Sequence, residues 1–221
     1  MPSRNTVKHF DVDSMYHVYN RGNNKRQIFF DERDYSVFLS FLKYALMSDE
    51  VFHAKEEINT SLLTDNNRFE LRRLGLAGKL ELVSYCLMPN HFHLQFYQHD
   101  ISAVTKLMRS IATGYVMYFN KRYGTSGSLF QGVYKASVVN DDGYNQHISR
   151  YIHLNALDVG ADFRHYEYSS YKYYVQDSTA DWVKPEKGLL GMNPAQYEKF
   201  LSEWIPYRND SKGIDKFLAD R

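Results

Sequence analysis

The chain reads as an α+β protein: a ferredoxin-like antiparallel sheet with packed helices, followed by one added helix. Three observations carry this. Apolar, β-prone runs and helical stretches alternate in the order β-α-β-β-α-β. The two central runs are separated only by Met88-Pro89-Asn90, a turn that folds them into a hairpin. A further apolar stripe of helical period follows the last run.

In chain order the expected elements are a strand over 16–21, a helix over about 32–47, strands over 82–87 and 91–98, a helix over about 102–122, a strand over 130–139 and a helix over 142–157. The last is argued from its ends and its stripe. Asp141 or Asp142 can cap it, Gly160 can end it, and Ile148, Ile152, Leu154 and Leu157 supply the apolar face. Two regions fall outside the pattern. Residues 49–80 separate the first helix from the second strand by more than an ordinary connection and read as an insertion. Residues 176–221 begin as a polar, Trp-containing linker and then show a helix start, with Asn193 as N-cap and Pro194 at the first helical position. The expected organisation is therefore one domain over 1–175 and an extension over 176–221.

His91 and His93 open the second strand of the hairpin. Side chains two apart on a strand point to one face, so both imidazoles can reach one cation while Phe92 turns to the core. Taken alone, the pair also describes two half-buried sheet histidines. Downstream, Tyr151 and Asn155 are one helical turn apart on one face. A phenol and a carboxamide so placed can address one small site, the first as nucleophile and the second as a neutral oxygen ligand. Alone, Tyr151 is equally a packing aromatic.

Four ordered segments decide between these readings: Tyr16-His-Val-Tyr-Asn-Arg-Gly22, Leu87-Met-Pro-Asn-His-Phe-His-Leu94, Gly127-Ser-Leu-Phe-Gln-Gly-Val-Tyr-Lys135 and Arg150-Tyr-Ile-His-Leu-Asn155. Together they resemble the HUH single-tyrosine transposases, the family of insertion-sequence transposases and REP-associated tyrosine transposases, over about residues 14–175. The resemblance implies that His91 and His93 are metal ligands, that Asn155 completes the site, and that Tyr151 is the nucleophile. It implies Mg²⁺ or Mn²⁺ as cofactor and a 5′-phosphotyrosine intermediate on single-stranded, hairpin-forming DNA. One departure is visible: the family often continues Asn-Pro where this chain has Asn155-Ala156.

Composition agrees. At 221 residues, 43% hydrophobic and 24% charged, the chain can bury a sizeable core. A single cysteine excludes a disulfide framework and a cysteine-rich zinc site. No apolar run reaches membrane-spanning length and the start lacks a signal-peptide core, so a cytoplasmic, nucleoid-associated protein is expected. The net charge is only +1, but its distribution is uneven. Residues 101–140 hold Lys106, Arg109, Lys121, Arg122 and Lys135 with no acid, and residues 14–30 hold Arg21, Lys25 and Arg26 with none. Candidate DNA contacts are Asn20, Arg21, Asn23, Lys25 and Arg26 in the first loop and Arg122, Gln131, Tyr134 and Lys135 around the fourth strand. Nineteen tyrosines and fourteen phenylalanines add rings on which bases can stack, Tyr19, Tyr115, Tyr118, Tyr123 and Tyr134 among them.

Rival functions remain at this point. A domesticated or non-catalytic nucleic-acid-binding protein would use the same sheet without needing the four site residues to converge. A metal-dependent hydrolase or oxygenase would want a third strong ligand, for which His99, Asp100, His147 and His153 are the nearby candidates. The resemblance, in which short members are dimers and longer members with a packed tail can work as monomers, implies for this 221-residue chain with its tail helix a monomer, with Tyr151 acting in cis, over a homodimer.

Overall fold

The computed structural model describes residues 10–51, 74–139, 142–176 and 178–208. Most of the expected insertion and the candidate cap Asp141 lie outside these. Strands β1 (Ser14–Arg21), β2 (Leu80–Met88), β3 (His91–Gln98) and β4 (Lys135–Val139) form one antiparallel sheet in the order β2-β3-β1-β4. Helix α1 (Glu32–Leu46) joins β1 to β2, and α2 (Ala103–Tyr123) joins β3 to β4. This is the expected ferredoxin-like arrangement.

Strand alternation divides the sheet into two working faces. Tyr16 and Val18 of β1, Tyr85 and Leu87 of β2, and Phe92, Leu94 and Phe96 of β3 are buried with α1 and α2 in the main core. The opposite face carries Met15, Val83, Cys86, Met88 and Val139, and packs against Ile148 and Ile152 of α3 (Asp142–Leu154). A register shift between Leu82 and Ser84 leaves Val83 and Ser84 both on this second face, and alternation resumes from Tyr85 onwards. So the helix that carries Tyr151 lies across the face that carries the histidines.

Two expected elements are shorter than the sequence suggests. The fourth strand begins at Lys135, because Gly132 sits at φ 149° and the chain before it turns away, bridging through Phe130 to Gly22. Helix α3 gives way after Leu154 to a 3₁₀ turn, Asn155–Val159, closed by Gly160 at φ 71°. The Asn155 side chain donates to the Tyr151 carbonyl at 2.8 Å, and a side chain that competes for a helical acceptor loosens the turn it sits in.

Asp34 ties the start of α1 to the end of α2. It is fully buried and accepts four hydrogen bonds, from Phe30 N–H at 2.8 Å, Tyr118 at 2.8 Å, Tyr123 at 2.7 Å and Arg122 at 2.7 Å. Arg122 also pairs with Asp31, and that guanidinium holds the Asp31 carboxyl below its ordinary range. Asp34→Ala leaves these donors facing a cavity, and Asp31 replaces only part of the lost charge. We expect a loss of about 3 kcal/mol or more, the scale for breaking a buried charged network. Thermal unfolding should report it as a fall of roughly 6–20 °C; an unchanged midpoint would mean that the network contributes little.

The tail is more than a linker and a helix. Trp182 and Val183 are buried in the main core, and Lys184 N–H bonds the Leu82 carbonyl at 2.8 Å. The expected helix forms as Pro194–Ser202, with Asn193 and Gln196 making a reciprocal capping box. It packs Tyr197 and Leu201 against Leu154, Phe163, Tyr171 and Tyr174. No helix among the described residues is long and apolar enough to cross a membrane.

Candidate active site

The histidines meet in the middle of the sheet. His91 and His93 share one face with ring centroids 5.1 Å apart, while Phe92 between them is buried in the opposite core. Across the β1–β3 ladder Tyr19 opposes His93 and Arg21 opposes His91. His17, two residues before Tyr19, presents its ring to the same face, 5.1 Å from His93 and bonded to it, Nε2 to Nδ1, at 2.9 Å. His17 went unnoticed in the sequence as a site residue. The signal was there: His17, Tyr19 and Arg21 alternate along one strand, which puts them on one side.

Burial sets the charge state of all three rings. It lowers the pKa of His17 to about 3 and that of His93 well below its ordinary value. His91 is brought down to about 4, by burial first and then by the charge of Arg21. Neutral imidazoles with available lone pairs are what a divalent cation requires. His91 also has its tautomer assigned by a neighbour. Its Nδ1 lies 2.6 Å from Asn90 Oδ1, an acceptor, so Nδ1 carries the proton and Nε2 the lone pair.

Helix α3 is held over this face by apolar and polar contacts together. Ile148 and Ile152 fill the second core, and a buried relay runs from Ser84 Oγ to Gln95 Oε1 at 2.7 Å and from Gln95 Nε2 to Asn145 on the helix. Asn145 passes the connection to the Lys187 carbonyl at 2.7 Å. With the helix fixed, the Tyr151 ring stands edge-on to His93 at 5.3 Å and to His17 at 6.1 Å. Tyr151 is partly exposed. Asn155, one turn on, is buried, and because its Nδ2 is engaged with the Tyr151 carbonyl its Oδ1 is the atom left to act as a ligand.

The competing tyrosines are placed differently. Tyr115 and Tyr118 are buried on the α2 side of the sheet, donating to the Ile28 carbonyl and to Asp34. Tyr19 touches His17 and His93 but is only 3% exposed, too enclosed to meet a DNA backbone. Tyr144 packs in the second core two turns before Tyr151. The candidate third metal ligands also lie elsewhere. His153 bonds Tyr197 and Ser170, both at 2.7 Å, His147 sits with Arg150 against Phe200 and Trp204, His99 pairs with Asp13 and Glu81, and Asp100 caps Ser102. Among the described residues no three His, Cys, Asp or Glu side chains converge on a point. None of the four candidate third ligands joins His91 and His93.

The basic segments are drawn together beside the site. Asn23 N–H bonds the Leu129 carbonyl at 2.9 Å, Gln131 N–H bonds the Arg21 carbonyl at 2.9 Å, and Asn20 Nδ2 reaches the Gly132 carbonyl at 3.1 Å. Gly22 makes the turn possible, since a Cβ there would sit 2.1 Å from the Arg26 carbonyl oxygen. Asn23, Lys25 and Gln131 are exposed, Arg21, Arg26, Tyr134 and Lys135 partly so. Arg122 departs from expectation: its charge is bound to Asp31 and Asp34 within the fold, which leaves it no part in a phosphate-binding face. Arg109 is exposed on α2 beside a cleft of about 650 Å³ that Asn20, Phe92, Phe130 and Tyr134 also line, on the α2 side of the sheet and away from the histidine face.

Residues 51–155 match the family model described as "Transposase IS200 like". Among solved structures the chain is similar to a REP-associated tyrosine transposase bound to a REP hairpin, at 11% identity and a TM-score of 0.47, over 76% of this chain and 82% of that one. No curated protein matches it.

Proposed function

We propose that this chain is an IS200-like transposase, the family whose model its residues 51–155 match, and that it cleaves and rejoins single-stranded DNA through a covalent bond to Tyr151, with Mg²⁺ or Mn²⁺ as cofactor. The observation that carries this is the Tyr151 ring against His93, with His91 beside it on the same strand face. His91 and His93 would hold the cation through nitrogen and Asn155 through its amide oxygen. When bound, such a cation draws charge from the scissile phosphate and eases formation of the phenolate.

The chain's own groups do the rest. Tyr151 Oη attacks phosphorus and gives up its proton, the bond from phosphorus to the 3′ oxygen breaks, and that oxygen leaves as a hydroxyl after taking a proton. The new O–P bond to Tyr151 keeps the phosphoryl group activated, so rejoining needs no external energy source. Arg21, across the ladder from His91, adds positive charge where the phosphate would lie. Asn23, Lys25, Arg26, Gln131 and Lys135 would track the DNA beside it, and Asn20, Tyr134 and Arg109 would extend that path onto the α2 side of the sheet. Hairpin-forming DNA is the proposed substrate, as the resemblance to the single-tyrosine transposases implies.

Tail contacts support Tyr151 acting in cis within a monomer. The Arg150 guanidinium lies over Phe200 at 4.2 Å and Trp204 at 3.9 Å, and Tyr197 bonds His153, so α3 is clasped by its own C-terminal segment.

The test is covalent capture: a 3′-labelled hairpin oligonucleotide with Mn²⁺, then denaturing electrophoresis. A protein-linked band, or strand cleavage lost on chelation, is expected. Binding without cleavage under these conditions would make the protein a non-catalytic hairpin binder. For the DNA face, Arg109→Ala should weaken binding alike across sequences and reduce the slope of log affinity against log salt by about 1, one phosphate contact. An unchanged slope would remove Arg109 from the path.

A further inference from the structure

We propose that His17 is a positioning residue, whose bond to His93 fixes the tautomer in which His93 can bind metal. This rests on the metal-site reading above and deepens it. A histidine ligates through a nitrogen that carries a lone pair, so a proton on one ring nitrogen leaves only the other for a cation. His93 Nδ1 and His17 Nε2 are 2.9 Å apart and share one hydrogen. If His17 donates it, the proton of neutral His93 must sit on Nε2 and neither nitrogen of His93 can ligate. If His93 donates from Nδ1, its Nε2 keeps the lone pair. Metal binding by His93 therefore requires His17 to be the acceptor.

Two further features agree. Asn90 Oδ1 puts the proton of His91 on Nδ1 in the same way, so both histidines present the same nitrogen. His17 is also an expensive residue in its place. It is fully buried, its Nδ1 has no hydrogen-bond partner among the described residues, and an apolar side chain would fill the position without that cost. The bond to His93 is the polar contact the ring does make.

The experiment reads the tautomer directly. Long-range ¹H–¹⁵N spectra of the full-length, metal-free protein should show His93 protonated on Nδ1. In His17→Leu this signature should be lost and Mn²⁺ affinity, by calorimetry, should fall roughly 10- to 100-fold, the usual cost of removing a ligand's outer hydrogen-bond partner. His17→Gln can place an amide oxygen near the position of Nε2, and should restore the tautomer and most of the affinity. His93 protonated on Nε2 in the wild type would overturn the proposal, and so would a folded His17→Leu that binds Mn²⁺ as the wild type does. The wild-type spectrum decides even if His17→Leu does not fold. His91→Ala, measured alongside, separates the two levels. Weak binding there with normal binding in His17→Leu removes only the role of His17; normal binding in both removes the metal site and this proposal with it.

Discussion

Tyr151→Phe is expected to abolish the covalent adduct with DNA and to leave the protein folded and able to bind hairpin. The substitution deletes one oxygen and keeps the ring that packs against His93 and His17, so the thermal midpoint and the DNA affinity stay near those of the wild type. Removing an attacking nucleophile costs on the order of 10⁴- to 10⁶-fold in rate, because the groups around it retain only a small residue of catalysis without it. The readouts are adduct formation with Mn²⁺ and peptide mapping of the wild-type adduct. An undiminished adduct in Tyr151→Phe, or mapping to Tyr144 or Tyr19, would show that a different phenol attacks. Tyr115 and Tyr118 are already remote, since the whole sheet stands between their hydroxyls and the histidine face.

What could be read from the sequence was what short-range periodicity controls. Two residues apart on a strand means one face, which placed His91 with His93 and sent Phe92 to the core. Pro89 and Asn90 made the turn of the hairpin, and Asn193-Pro194 marked a helix start that forms where expected. Features set by long-range pairing were hidden. His17 belongs to the site because β1 lies next to β3, and no local pattern states which strands are neighbours. Arg122 looked like a phosphate ligand because its segment holds no acid; its partners, Asp31 and Asp34, come from the cap and first turn of α1, 91 and 88 residues earlier. Trp182 read as linker because the flanking residues are polar, yet it stacks on Tyr85 with centroids 5.5 Å apart. The end of α3 was misjudged for a local reason, the Asn155 side chain competing for the Tyr151 carbonyl, which apolar periodicity does not register.

His91→Ala separates metal binding from folding more cleanly than any change at His93. His93 is fully buried and bonded to His17, so its removal opens a cavity and strands a polar nitrogen, together about 2–4 kcal/mol. His91 is half-buried at the strand's start and bonds its neighbour Asn90, so its removal costs about 1 kcal/mol. Mn²⁺ affinity should nevertheless fall by more than about 100-fold, beyond what losing an outer partner costs, and cleavage should disappear with it. Full-rate cleavage by folded His91→Ala with Mn²⁺ would end the assignment of His91 as a ligand. The same variant tests which chain supplies the tyrosine. Mixed with Tyr151→Phe it should form no adduct, because α3 is clasped to its own sheet by Ile148 and Ile152 and to its own tail by Arg150 and His153. An adduct regained on mixing would mean that α3 leaves those contacts and completes the site of a second molecule, and the clasp would then have to open at a cost lower than its buried rings and hydrogen bonds indicate.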